Sequence, residues 1–167
     1  GKFDFFPEPV ELPALIGDVM AVLQVEAAAK GITLTAEHDP NLTDLVLDPA
    51  RLRQMLYNFL SNAIKFTGVG GRVVLRTRAQ EETSLRIEVE DNGIGIAEAD
   101  QQKLFTQFQQ IRSGYAKPHQ GTGLGLALTR RLAELQGGWV GVHSVPGQGS
   151  TFYLVLPRKP TGTAPKA

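Results

Sequence analysis

A two-layer α/β sandwich, with three helices on one face of a mixed, mostly antiparallel sheet, is the fold class predicted for these 167 residues. Three observations predict it. Two stretches repeat apolar residues at spacings of three and four, as amphipathic helices do, and a third helical stretch follows a glycine-rich opening. Short runs rich in valine, isoleucine and leucine alternate with polar residues, as half-buried strands do. Those runs are bounded by glycine, proline and polar turns, so helices and strands must pack as layers around one core.

After an apolar opening, Phe3 to Phe6, the stretch Pro9-Val10-Glu11-Leu12 leads into the first helix. Its stripe is Leu12, Leu15, Ile16, Val19, Val22 and Leu23, and Gly31 ends it. Ile32-Thr33-Leu34-Thr35 and Val46-Leu47 read as short strands. Asp48-Pro49 then supplies a cap and a proline at the first helical position. This second helix turns Leu52, Met55, Leu56, Phe59, Leu60 and Ala63 inward and runs to about Phe66. Val73 to Thr77 and Leu85 to Val89 are adjacent antiparallel strands around a turn at Gln80 to Thr83. A short helix is expected from Ala97 to about Gln107, and a longer one from about Gly123 to Leu135, stopped by Gly137-Gly138. Trp139 to Ser144 and Ser150 to Leu156 close the chain as strands, with Trp139 expected in the core. The tail from Lys159, rich in proline, threonine and alanine, is expected to be disordered.

Lysine plus arginine equal aspartate plus glutamate at 17 each, so no broad basic footprint for nucleic acid or anionic lipid exists. No continuous apolar run approaches the roughly 18 residues of a bilayer span. Cysteine is absent, which removes disulfides and thiolate chemistry and suits a reducing compartment. His38, His119 and His143 are scattered and do not suggest a zinc site.

Four segments carry chemistry: Asn58 to Phe66, Asp91 to Ile96, Gly121 to Leu126 and Gly147 to Thr151. Asp91 follows a strand that buries Leu85, Ile87 and Val89, so its carboxylate shares their interior. A buried acceptor wants a donor, which the exocyclic amine of adenine supplies and the carbonyl of guanine does not. Gly93 and Gly95 would let the backbone approach a flat base; Asp91-Asn92-Gly93 is equally a common turn sequence. Gly121-Thr122-Gly123-Leu124-Gly125-Leu126 opens into a helix whose free amides and dipole can seat phosphate oxygens. It matches neither the P-loop nor the dinucleotide fingerprint. Asn58, Asn62 and Lys65 share a helix face opposite the core leucines. That trio suits a magnesium ion with a triphosphate, or is simply a solvated face. Ala97 to Gln120 has the length of a binding loop. Leu104, Phe105 and Phe108 would root it in the core or simply belong to that core, and Arg112 and Lys117 would reach the outer phosphates or serve as surface charge, Lys117 more readily the latter.

In this order, the motifs resemble those of the ATP-binding catalytic domain of sensor histidine kinases. That superfamily also holds DNA gyrase, the MutL mismatch-repair proteins and the large heat-shock chaperones. Asn58 to Phe66 resembles the asparagine box, Asp91 to Ile96 the first glycine box, and Phe105 with Phe108 the phenylalanine box. Gly121 to Leu126 and Gly147 to Thr151 resemble the later glycine boxes, and the likeness covers about Pro9 to Leu156. The resemblance implies the Bergerat ATP-binding fold, with ATP and Mg2+ as cofactors. It implies Asn62, with Asn58 beside it, at the metal, and Lys65 and Arg112 acting on phosphate. Asp91 would bind the adenine amine, with Phe66, Phe105, Gly93, Gly95 and Ile96 around the base. Thr151 would support the base pocket, and Gly121, Thr122, Gly123, Leu124, Gly125 and Leu126 would cradle the phosphates.

In the hydrolysing relatives the position of Asn58 is a glutamate that activates water. An amide cannot do that, so the resemblance implies transfer of the γ-phosphate to an outside histidine rather than hydrolysis. None of the three histidines has the context of the family's phosphoacceptor. The implied partners are therefore a separate dimerisation and phosphoacceptor domain and, downstream, a response regulator receiver domain. No nucleic acid or direct membrane contact is implied. Residues 1–8 are expected to be a remnant of the junction, 9–157 the catalytic domain and 158–167 a disordered tail. The domain is expected to be monomeric and cytoplasmic, with a parent that can be anchored in the inner membrane. A hydrolysing ATPase, a non-catalytic nucleotide-binding module and an anti-sigma type serine kinase are the competing readings. Asn58, the intact motifs, and Lys65-Phe66-Thr67 with the two phenylalanines argue against them in turn.

Overall fold

The computed structural model describes residues 4–106 and 124–160. Five strands form the main sheet, in the order β2 (Thr33–Glu37), β4 (Arg72–Glu81), β5 (Ser84–Asp91), β7 (Gly149–Pro157) and β6 (Trp139–Val145). β2 and β4 are parallel and every other pair is antiparallel, so the sheet is mixed as expected. α1 (Leu12–Ala29), α2 (Pro49–Lys65) and α4 (Leu124–Leu135) form the second layer, and a one-turn α3 (Glu98–Gln101) packs beside β6.

The layers follow from strand alternation. Leu85, Ile87, Val89 and Asp91 of β5 are buried under the helices. Arg86, Glu88 and Glu90 point to the open face, where Arg76, Arg78 and Arg86 pair with Glu37, Glu88 and Glu90. Phe59, wholly buried on α2, meets the Phe152 ring of β7 at 5.6 Å. Asp48 caps α2 through Arg51 N–H at 3.1 Å, and its other oxygen accepts Phe6 N–H at 2.7 Å. One carboxylate thus starts a helix and ties down the N-terminal segment.

Several expectations change. β1 (Glu8–Val10) pairs with β3 (Leu45–Leu47), where the sequence reads as the approach to a helix; partners distant in sequence leave no local signal. The β4–β5 turn is only Glu82-Thr83, so the strands extend through Gln80 and Glu81. Val22 is 67% exposed, because the stripe of α1 turns towards Met20 and Ala27 instead. Trp139 is half exposed rather than in the core, because β6 is an edge strand. α3 stops at Gln101; the rest of the helix expected to Gln107 is turn as far as Thr106. α1 does have the length and apolar composition of a membrane span, yet its seven buried residues belong to the core. Arg158, expected in a disordered tail, is instead tied down, its N–H donating to the Thr83 carbonyl at 2.9 Å and its carbonyl accepting Val46 N–H at 2.8 Å; the rest of that expected tail beyond Pro160 lies outside the described residues.

Phe59 anchors α2 to the sheet directly beneath the site. Phe59→Ala is expected to lower unfolding free energy by about 3–5 kcal/mol, measured by chemical denaturation.

Candidate functional site

Asp91 ends β5 at the sheet margin beside the end of α2. Its carboxylate is buried, at 6% exposure. Gly93 N–H donates to Oδ1 at 2.9 Å, and Ser150 N–H donates as well. Burial pushes the acid up to about 6, against the pull of those two donors, with the Glu90 charge adding to the rise. Near neutral pH the group is therefore mostly ionised, yet poorly solvated. It is an acceptor aimed at a donor.

Phe66, the C-cap of α2, brings the adjoining loop in. Its carbonyl accepts Ile94 N–H at 3.2 Å, and a Cβ on Gly93 would lie 2.1 Å from that oxygen. A Cβ on Gly149, whose φ is +131°, would lie 2.1 Å from the Asp91 carbonyl. These glycines are needed for backbone to meet backbone, a different reason from the approach to a base that the sequence suggests. Gly95 is alike, closing on the Val145 carbonyl.

The asparagine face of α2 is held from α4. Asn58 Nδ2 donates to the Gly125 carbonyl and to Thr129 Oγ1, each at 3.1 Å, and Thr129 Oγ1 donates to the Gly125 carbonyl at 2.8 Å. A carbonyl accepts only, so the Asn58 amide is oriented with both protons spent and Oδ1 left as an acceptor. Among the described residues, the half-buried Asn62 amide makes no hydrogen bond. Lys65 is half-buried on the same face, one turn beyond. Two amide oxygens without a carboxylate suit a hard cation that keeps most of its ligands from elsewhere. No cluster of three His, Cys, Asp or Glu side chains able to hold a metal occurs among the described residues.

Other sequence-predicted residues divide. Ile96 is buried, and Phe105 packs against Phe152 at 6.2 Å, beside the core. Leu126 is half-buried on α4 beside the core. Thr151 alternates to the open face opposite Glu90; Ser150, one residue earlier, faces Asp91 and takes the place expected for Thr151. Arg112, Phe108, Lys117, His119, Gly121, Thr122 and Gly123, with the Leu124 side chain, lie outside the described residues.

Three contributors carry no sequence motif. Thr129 was legible only as a hydroxyl one turn after Gly125. Ser144 contacts Ile96 and Ser150 across the fold. Lys30 donates to the Ile64 and Lys65 carbonyls at 2.8 and 3.0 Å, closing the C-terminus of α2. Burial lowers its pKa, partly offset by Glu26.

Comparison with known proteins agrees with this geometry. The family model described as histidine kinase-, DNA gyrase B-, and HSP90-like ATPase matches residues 47–160. The virulence sensor protein BvgS of Bordetella bronchiseptica is 44% identical over 161 residues, which are 93% of this chain but only 13% of BvgS. Full-length ShkA in complex with AMPPNP superposes with a TM-score of 0.83 at 33% identity, covering 94% of this chain and 32% of that one. The histidine kinase ThkA in complex with the response regulator TrrA gives 0.75 at 25% identity, covering 92% and 42%. The chain thus spans a minor part of the length of these proteins. The order of the glycine segments around a buried aspartate, carried on this sheet, places it in one family: the chain belongs to the histidine kinase-, DNA gyrase B- and HSP90-like ATPases, as an ATP-binding domain of the sensor histidine kinase kind.

Proposed function

We propose that this chain binds Mg-ATP and presents the γ-phosphate to a histidine on a separate dimerisation and phosphoacceptor domain, which passes it to a response regulator receiver domain. The observation that carries the reading is Asp91, a buried carboxylate with two backbone donors and room in its chemistry for one more. The adenine amine completes it, whereas guanine would oppose acceptor to acceptor. Phe66, Ile96 and the glycine loop form the wall beside it, with Phe105 behind.

Asn62 and Asn58 would hold the magnesium ion through amide oxygens, most of its other ligands being phosphate oxygens and water. That ion would offset charge on the phosphates. Lys65 and Arg112 would act on the same phosphates, and the residues from Gly121 to Leu126 would seat them. An amide takes no proton from water near neutral pH, and the Asn58 amide is held in place by Gly125 and Thr129, so this position supplies no general base, which supports transfer over hydrolysis. The catalytic unit is residues 9–157, working in the cytoplasm as a monomer between encounters.

Asp91→Asn is expected to separate stability from binding. The Asp91 pKa is raised on folding, so its contribution to stability is complete below the ordinary value near 3.8 and is lost as pH rises through about 6. An amide carries no such penalty. At pH 7 the nucleotide-free variant should be more stable than the parent chain by up to about 3 kcal/mol, the gap closing towards pH 4. The same variant should lose binding of AMPPNP by at least about a hundredfold in calorimetric titration. The parent chain should bind less tightly as pH drops through 6.

Adding a histidine phosphoacceptor domain to the chain with γ-labelled ATP and magnesium should yield acid-labile phosphohistidine. Asn62→Ala should lower that rate by about a hundredfold or more. Steady phosphate release by the chain alone, without any acceptor, would instead support an ATPase.

A further inference from the structure

We infer that Ser144, on β6, is a positioning residue for adenine recognition, holding the wall from which Asp91 receives its second backbone donor. The inference rests on the nucleotide reading above and adds a residue to it. Ser144 Oγ joins three segments. Ile96 N–H donates to it at 2.8 Å, the Gly149 carbonyl lies at 2.9 Å and the Ser150 hydroxyl at 2.7 Å. A serine hydroxyl has one proton and two acceptor positions. With its proton on the Gly149 carbonyl and Ile96 N–H on one acceptor position, the Ser150 hydroxyl proton fills the other. The group is saturated.

The consequence lies one bond further on. Ser150 is the residue whose N–H donates to Asp91, and Ile96 ends the loop that begins at Asp91. One side chain therefore fixes both the far end of that loop and the donor facing the carboxylate. Gln101, on α3, completes the arrangement by donating to the Ile96 carbonyl at 2.7 Å and the Ser144 carbonyl at 3.1 Å. The peptide groups of Ile96, a buried residue, thus find a side chain on each side. Gly147 N–H, donating to the Ile94 carbonyl at 2.7 Å, adds a backbone tie between the same two segments. Alanine at 144 would leave Ile96 N–H and the Ser150 hydroxyl unmatched, and the wall free to shift against the carboxylate.

The test is titration of the whole 167-residue chain with AMPPNP and with its guanine counterpart, for the parent, Ser144→Ala, Ser144→Thr and Gln101→Leu, with thermal unfolding of each. Ser144→Ala and Gln101→Leu should each weaken AMPPNP by roughly five- to tenfold and narrow the preference for adenine over guanine. Ser144→Thr, which keeps the hydroxyl, should restore both. Should Ser144→Ala fail to fold, Gln101→Leu carries the same reading. A lowered Tm with affinity and base preference unchanged would overturn the inference and leave Ser144 a stabilising residue only. No binding by the parent chain would overturn the nucleotide reading itself, and this inference with it.

Discussion

Burying a carboxylate at the end of a central strand is the constraint around which the molecule is arranged. β5 lies in the middle of the sheet, so Asp91 enters an interior made by Leu85, Ile87 and Val89. Charge there is costly unless donors meet it. The chain supplies two backbone donors, from Gly93 and Ser150, and both require backbone to come closer than a side chain would allow. The carboxyl nonetheless stays near pKa 6, well above its ordinary range. The free domain therefore carries an electrostatic cost, and on the function proposed above an adenine amine would relieve it.

α2 serves the core and the site at once. Its inner face, from Leu52 to Ile64, is sealed against the sheet and the neighbouring helices. The opposite face offers Asn58, Asn62 and Lys65. Packing fixes the rotation of the helix, and so the direction of the polar face follows from the apolar one. Both ends are pinned from distant parts of the chain, by Asp48 at the start and by Lys30 at the finish. The Asn58 amide is pinned in turn by Gly125 and Thr129 of α4, which links the asparagine face of α2 to a second helix.

The sheet itself has two unlike faces. Under the helices it is apolar; on the other side the buried Glu88 lies between Arg78 and Arg86, and Arg86 covers the Tyr153 ring at 3.9 Å. Burial would raise the Glu88 pKa, but its arginine partners outweigh it and hold the acid below its ordinary value. The open face is thereby closed by paired charge and an aromatic ring in place of a third layer.

The pattern of the sequence alone determined the helices, most of the strands and the residues proposed for the nucleotide chemistry. Apolar spacing, glycine-rich turns and the Asp48-Pro49 cap are local signals, read within a few residues. Asp91 was legible because alternation along β5 dictates its face. What only the tertiary structure decided is whatever depends on partners distant in sequence. β1 exists because β3 lies beside it, and Trp139 is half exposed because β6 has no neighbouring strand on its outer side among the described residues. Ser150 faces Asp91 and Thr151 does not, because strand register, invisible in either strand alone, turns a one-residue difference into the opposite face of the sheet. Ser144, Thr129 and Lys30 likewise matter through hydrogen bonds to groups brought close by folding. Periodicity records which way a side chain points; the folded chain decides what it meets there.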